Sequence, residues 1–105
     1  MAELNFLSIS EEYLRQLADN IEDSDTESLL SVELQDGILE IIDEEDRTYI
    51  INQHSATQKI WYSSPFSGAD YFAFENDNWL NKNGVELSDK LAQELLDNFK
   101  LKINA

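Results

Sequence analysis

The apolar residues near the N-terminus recur at helical spacing. Tyr13, Leu14, Leu17, Ala18 and Ile21 fall three or four positions apart, which gathers them on one face at 100° per residue. Ser8-Ile9-Ser10-Glu11 fits a capping box, so the pattern predicts a helix that starts at Ser8. Glu12, Asp19 and Asp23 then lie almost opposite the apolar face, with Glu22 and Arg15 beside them. From Leu30 the period changes to two: Leu30, Val32 and Leu34 alternate with Ser31 and Glu33. Asp36-Gly37 is a strong hairpin signal, because glycine accepts the positive φ of a tight turn, and Ile38 to Asp43 follows as a second strand.

Asp43-Glu44-Glu45-Asp46 predicts a solvated turn, and Arg47 opens a third strand over Thr48 to Gln53. Gln53 to Ala56 is polar and reads as a loop. Thr57 to Ser63 forms a fourth strand with Ile60 and Tyr62 on one face and Lys59, Trp61 and Ser63 on the other. Ser64-Pro65-Phe66-Ser67-Gly68 reads as a turn, Phe72 and Phe74 point inward along a fifth strand, and Trp79-Leu80 makes a short sixth with Trp79 in the core. Asn83-Gly84 ends the sheet. Ser88 is then a natural N-cap for a helix carrying Leu87, Leu91, Leu95, Leu96 and Phe99, with Asp89 and Lys100/Lys102 placed to suit the helix dipole. Six strands joined by short links imply an antiparallel meander. The fold class is therefore α+β: a single domain over residues 1–105, a two-layer sandwich with both helices packed on one face of a six-stranded sheet.

Charge changes the picture. The net charge of −15 is uneven: residues 1–50 hold 15 Asp/Glu against 2 Lys/Arg, residues 51–105 only 7 against 5. An acidic half repels nucleic-acid phosphates and anionic lipid and steers cations or basic protein surfaces toward itself. There are no cysteines, which excludes disulfides, thiolate metal sites and cysteine nucleophiles. The sequence holds no membrane-length apolar run. No secretory or transit signature opens it, so the expected location is the bacterial cytoplasm, or the mitochondrial matrix for a processed protein.

Two candidate surfaces emerge. The carboxylate stripe of the first helix continues through Asp25, Glu27 and Glu33 into the first strand. A solvated face that keeps a small protein soluble is the simple account, yet solubility does not require one sign of charge in one half. Hard oxygen donors suit iron, manganese or calcium, and exposed, salt-screened carboxylates would bind them weakly. Trp61 could be a core tryptophan, but Ile60 and Tyr62 already serve the core face, so alternation sends the indole outward, where a rigid aromatic makes a good docking point. His54 stands alone in a polar segment and reads as a surface residue, and Ser63-Ser64 has no base and orienting group to make a nucleophile.

The stretch YIINQHSATQKIWYSSPFSG, the aromatic strand after it, Asn78-Trp79, the α-β6-α order and the acidic first helix together resemble the frataxin family, its bacterial CyaY type included. The resemblance covers about Ser8 to Lys102. It implies a non-enzymatic partner of iron-sulfur cluster assembly that binds the cysteine desulfurase and its scaffold and holds iron weakly, with no organic cofactor. The acidic charge and the lack of a spanning apolar run imply no nucleic-acid or membrane partner; the expected state is a monomer able to form iron-dependent oligomers. Carried over by position, the metal ridge is Asp19, Glu22, Asp23, Asp25, Glu27 and Glu33, and the partner-binding face is Asn52, Lys59, Trp61 and Ser63. Lys59 stands where the family usually has glutamine, and Asp70-Tyr71 where eukaryotic members are basic. Other readings are a ferroxidase or an iron-storage protein, although the Glu-x-x-His spacing of a di-iron centre is absent, and an acidic inhibitor that mimics nucleic acid.

Overall fold

The computed structural model describes residues 3–103. In chain order the elements are α1 (Glu3–Ser24), β1 (Ser31–Gln35), β2 (Ile38–Ile42), β3 (Thr48–His54), β4 (Lys59–Ser64), β5 (Gly68–Glu75), β6 (Asn78–Leu80) and α2 (Leu87–Phe99). The strands form one sheet in the order β1-β2-β3-β4-β5-β6, every neighbour antiparallel. Both helices contribute to the core under one face of that sheet, and the expected α+β two-layer sandwich is what forms. No helix among the described residues is long and apolar enough to cross a membrane.

Period-two alternation decides which side chains enter the core. Leu39 and Ile41 on β2, Tyr49 and Ile51 on β3, Ile60 and Tyr62 on β4, Phe72 on β5 and Trp79 on β6 are all buried against Leu14, Leu17, Ile21, Leu87, Leu91 and Leu95 from the helices. The Asp36-Gly37 turn takes the positive φ values of 54° and 76° expected of it. Gly37 has a second reason to be glycine, since a Cβ there would stand 2.1 Å from Oε1 of Gln53.

Several local expectations shift. α1 does not start at Ser8: Phe6, fully buried and edge-on to Trp79 at 5.9 Å, extends the apolar stripe backward, so Ser8 lies inside the helix. β3 keeps Gln53, as its strand reading has it, and runs on through His54, so the loop begins at Ser55. The Gln53 side chain has a further role. Its Nε2 donates to the Leu7 carbonyl and to Ser10 Oγ, both at 2.8 Å, and ties the strand to α1. Thr57 falls in a turn, because β4 starts at Lys59. Phe74 is only half-buried. The N-cap of α2 is Glu86, not Ser88: the Glu86 carboxylate accepts the Ser88 amide (3.0 Å), the Ser88 hydroxyl (2.6 Å) and the Tyr13 hydroxyl (2.8 Å). Burial, and then that bond to Glu86, push the Tyr13 hydroxyl far above the ordinary tyrosine range. At the other end Lys100 adopts a left-handed conformation (φ 55°), and its amide and that of Leu101 close the helix on Leu96 and Leu95.

Asp43 is not a solvated turn residue either. Its buried carboxylate accepts the amides of Glu45 (2.8 Å) and Arg47 (2.9 Å) and the Arg47 guanidinium (2.6 Å). The Arg47 guanidinium also lies 4.9 Å over the Phe66 ring. Burial alone would raise Asp43, but the Arg47 amide and guanidinium and the Glu45 amide outweigh it and hold the carboxyl below the usual aspartate range. Glu94, half-buried on α2, does similar work between helix and sheet. It accepts the hydroxyls of Tyr49 (3.1 Å), Tyr62 (2.7 Å), Ser64 (2.5 Å) and Ser67 (3.0 Å), and thereby ties α2 to β3, β4 and the β4–β5 turn.

Replacing Glu94 by Ala should therefore lower the urea-unfolding free energy by about 3 kcal/mol, because several hydroxyls lose one shared acceptor. Asp43→Asn should show a different signature. A depressed native pKa contributes stability that is present above the unfolded value of about 3.9 and is lost as pH falls through the native value. The Tm deficit of Asp43→Asn, measured by circular dichroism, should be full at neutral pH and shrink below pH ~4.

Candidate metal and partner-binding surfaces

The sheet face turned away from the helices is open, and the registers define what lies across it. Gln35 pairs with Ile38, Ile38 with Asn52, Asn52 with Trp61, and Trp61 with Tyr71, so one row crosses five strands. The adjacent row runs Glu33, Glu40, Ile50, Ser63 and Ala69, and on its other side His54, Lys59, Ala73 and Leu80 line up. Asn52, Trp61 and Ser63 are thus brought together half-buried on one face with exposed Lys59 at its margin.

Trp61 does not stand alone. Its ring packs edge-on against Tyr71 at 4.7 Å, and Tyr71 in turn meets His54 at 6.1 Å. Ile38 and Ile50, 41% and 39% exposed, flank the same patch, and Tyr71 is 44% exposed. Apolar side chains gathered on a rigid sheet in a protein of charge −15 have the composition of a surface on which a partner can dock. Tyr71, Ile38 and Ile50 escaped the sequence reading because it followed strands singly. The alternation of Ile38 with Leu39, and of Ile50 with Tyr49 and Ile51, was the available signal. Asn52 Nδ2 donates to the Gln53 carbonyl (3.0 Å), which steadies its amide plane, and His54 Nδ1 lies 2.7 Å from Thr57 Oγ1.

The carboxylates divide. Asp19, Glu22 and Asp23 are exposed on α1, Glu27 is exposed on the connection, and Glu33 is exposed on β1. Asp25 leaves that set. It is buried, and its two oxygens accept the amides of Leu29 (2.9 Å) and Leu30 (2.8 Å), so it folds the α1–β1 connection and has little left to offer a cation. Among the described residues Arg15 pairs with Glu11 at 2.9 Å, and Asp19, Glu22, Asp23, Glu27 and Glu33 make no ion pair, although Lys100 and Lys102 line one concavity with Glu27. Glu40, missed earlier, stands directly across from Glu33. Like charges in that position destabilise a strand pair, so the sheet carries a cost there. Among the described residues, no three His, Asp or Glu side chains converge on one point. The ridge can therefore meet a hard cation through single or paired carboxylates, an open arrangement that favours lability.

Asp70, on the inner side of β5, is held differently. Burial would raise it, but the Asn81 amide (2.9 Å), the Tyr71 amide (2.9 Å) and Lys90 (3.3 Å) hold it below the usual range. It is a structural ion pair.

Known proteins are similar to this chain. The chain is 30% identical over 98 residues to the iron-sulfur cluster assembly protein CyaY of Thioalkalivibrio sulfidiphilus, covering 90% of this chain and 91% of that one. It is 31% identical over 90 residues to the mitochondrial frataxin homologue of Saccharomyces cerevisiae, covering 82% of this chain but 52% of the relative; it spans about half the length of that protein and of a Dictyostelium discoideum frataxin. Among solved structures, a frataxin from Psychromonas ingrahamii superposes with a TM-score of 0.88 at 16% identity, covering 99% and 97% of the two chains, which speaks to fold alone. Trimeric yeast frataxin, solved in a ferrous complex, matches with a TM-score of 0.76 at 30% identity over 85% of this chain and 83% of its own. The frataxin-like domain model matches residues 1–101, and the chain belongs to that family.

Proposed function

We propose that the protein is an iron-binding, non-enzymatic adaptor of iron-sulfur cluster assembly. Its ridge carboxylates Asp19, Glu22, Asp23, Glu27 and Glu33 take iron weakly as cargo and attract the basic surface of a cysteine desulfurase. Its open sheet face, with Asn52, Lys59, Trp61 and Ser63, meets the scaffold. The observation that carries this reading is the pairing of two unlike surfaces: an acidic ridge whose exposed carboxylates Asp19, Glu22, Asp23, Glu27 and Glu33 make no ion pair among the described residues, and an aromatic patch on rigid strands. The names and the ferrous complex of the relatives support the pathway and the metal. Trimeric yeast relatives, one of them in a ferrous complex, support the formation of oligomers. A ferroxidase or storage role would call for converging ligands, whereas the described carboxylates are spread along a helix and a strand.

A pull-down with desulfurase and scaffold from one source tests the sheet face. Trp61→Ala should keep Tm within a few degrees, because the indole is outside the core, and should lower scaffold binding tenfold or more. Trp79→Ala, which empties a fully buried site, should instead cost about 3–5 kcal/mol of stability. Binding that survives Trp61→Ala would remove the sheet face from the interface.

The ridge makes a separate prediction. Raising NaCl from ~50 to ~500 mM should weaken the desulfurase complex steeply, since exposed charges are screened beyond ~8 Å at physiological salt and more closely above it. Fe²⁺ titration followed by amide NMR should broaden or shift Asp19, Glu22, Asp23, Glu27 and Glu33, with Asp25→Asn losing stability rather than iron. A salt-insensitive complex would discard the electrostatic account.

A further inference from the structure

The outer edge of the sheet shares Lys59 and Tyr71 with the open face, but its free backbone groups are used by neither role above. β5 is 8 residues long (Gly68–Glu75) and β6 only 3, so β6 pairs with Ala73, Phe74 and Glu75 alone. Among the described residues no outer strand lies beside Gly68 to Phe72. β6 cannot extend to fill the place: Leu80 bridges to Glu86, and the chain turns through Asn81–Val85, where the Asn81 amide donates to the Val85 carbonyl and the Gly84 amide to the Asn81 carbonyl, both at 3.0 Å.

The direction of the free backbone groups follows from the β5–β6 turn. Asn76 and Asp77 take φ values of 51° and 65°, a two-residue turn that closes on a hydrogen-bonded Glu75–Asn78 pair. Every second residue along β5 therefore projects its N–H and C=O toward the outer side, which includes Tyr71 and Ala69. The Tyr71 amide is taken by Asp70 Oδ1 at 2.9 Å. The Ala69 amide and the Ala69 and Tyr71 carbonyls face an open concavity of about 510 Å³.

Charge then says what would fill it. Of 7 basic residues in a chain of net −15, Arg15, Arg47 and Lys90 are paired with Glu11, Asp43 and Asp70. Lys59 and Lys82 are exposed, make no ion pair among the described residues, and line the same concavity. On its rim Asp70 is balanced by Lys90, which leaves Glu75 as the opposing charge. Two free ammonium groups against one free carboxylate make this edge locally positive in a protein otherwise strongly negative.

We propose that the Gly68–Phe72 edge of β5 is a docking site for an acidic, extended segment of a partner protein, which adds as a strand beside Ala69 and Tyr71 while its carboxylates meet Lys59 and Lys82. Backbone pairing supplies the geometry and the lysines select the sign of charge. A helix, such as the acidic α1 of a second copy, has its backbone groups paired internally except at its ends, so it offers this edge no continuous ladder.

The test uses the full ¹⁵N-labelled chain at ~0.1 M salt with two blocked octapeptides, one alternating glutamate and valine, the other lysine and valine. The acidic peptide should shift the amides of Ala69, Tyr71, Asn81 and Lys82 and slow exchange at Ala69, while the basic peptide should leave them unmoved. Lys59→Glu combined with Lys82→Glu should weaken the acidic peptide tenfold or more with an unchanged melting curve. Ala69→Pro, tolerated on an edge strand because the lost N–H faces outward, should abolish binding; if that variant does not fold, the lysine pair still decides. No shift at millimolar peptide, equal binding of both peptides, or shifts confined to Ile38, Ile50 and Trp61 would each overturn the proposal.

Discussion

Two helices cannot cover both faces of a six-stranded sheet, and from that constraint the surface follows. The inward residues of every strand must be apolar or internally bonded, and the outward ones are set free from packing. In a meander each strand is registered to its neighbour by a tight turn, so the outward residues form straight rows rather than a scatter. Asn52, Trp61 and Tyr71 share a row because the β3–β4 and β4–β5 turns leave no slack between them. A one-residue slip in β4 would bury Trp61 and expose Ile60 and Tyr62.

The layer between helices and sheet is more polar than a plain hydrophobic sandwich. Glu94 with its four hydroxyls, Glu86 with Tyr13 and Ser88, and Gln53 with Ser10 all lie where α1 or α2 meets the strands. Among the described residues no buried side-chain polar atom is left without a partner. Satisfied networks of this kind fix register and helix position more tightly than apolar contact, because a shift that costs an apolar pair little would strand a carboxylate or a hydroxyl. Burial, and after it contact with the Glu94 carboxylate, keep the Tyr49 and Tyr62 hydroxyls protonated well beyond the usual tyrosine range, so both serve only as donors to it.

The number, type and order of elements were legible in the sequence because period 3.6 and period 2 are separated cleanly at Leu30, and because Asp36-Gly37 could be little but a hairpin. What escaped was polar and long-range. Glu94 looks like any exposed helix carboxylate until Tyr49, Tyr62 and Ser64 are brought over it from 30 to 45 positions away. Ser88 is the standard capping residue, yet Glu86 wins because Tyr13, 73 positions earlier, arrives to share it. The candidate site was partly legible for the same reason. Trp61 could be sent outward by local alternation, whereas Tyr71 at its side, Glu40 across from Glu33 and the capture of Asp25 by backbone amides need the fold.

The fate of Asp25 sharpens how the proposed ridge would work. A carboxylate whose oxygens are occupied by amides keeps its charge but has few free lone pairs, so it adds to the field without serving as a ligand. The exposed carboxylates can do both, which sets the two proposed roles of the ridge against each other. On the proposed ridge each bound Fe²⁺ would offset two negative charges of the half that would attract a basic partner, and each basic partner would take carboxylates from the pool open to iron. By linkage the two effects are equal in free energy: whatever factor iron takes from docking affinity, docking takes from iron affinity. The aromatic row is uncharged and stands apart from this exchange, so scaffold recognition on the open face would hold its strength while the ridge alternates between metal and protein.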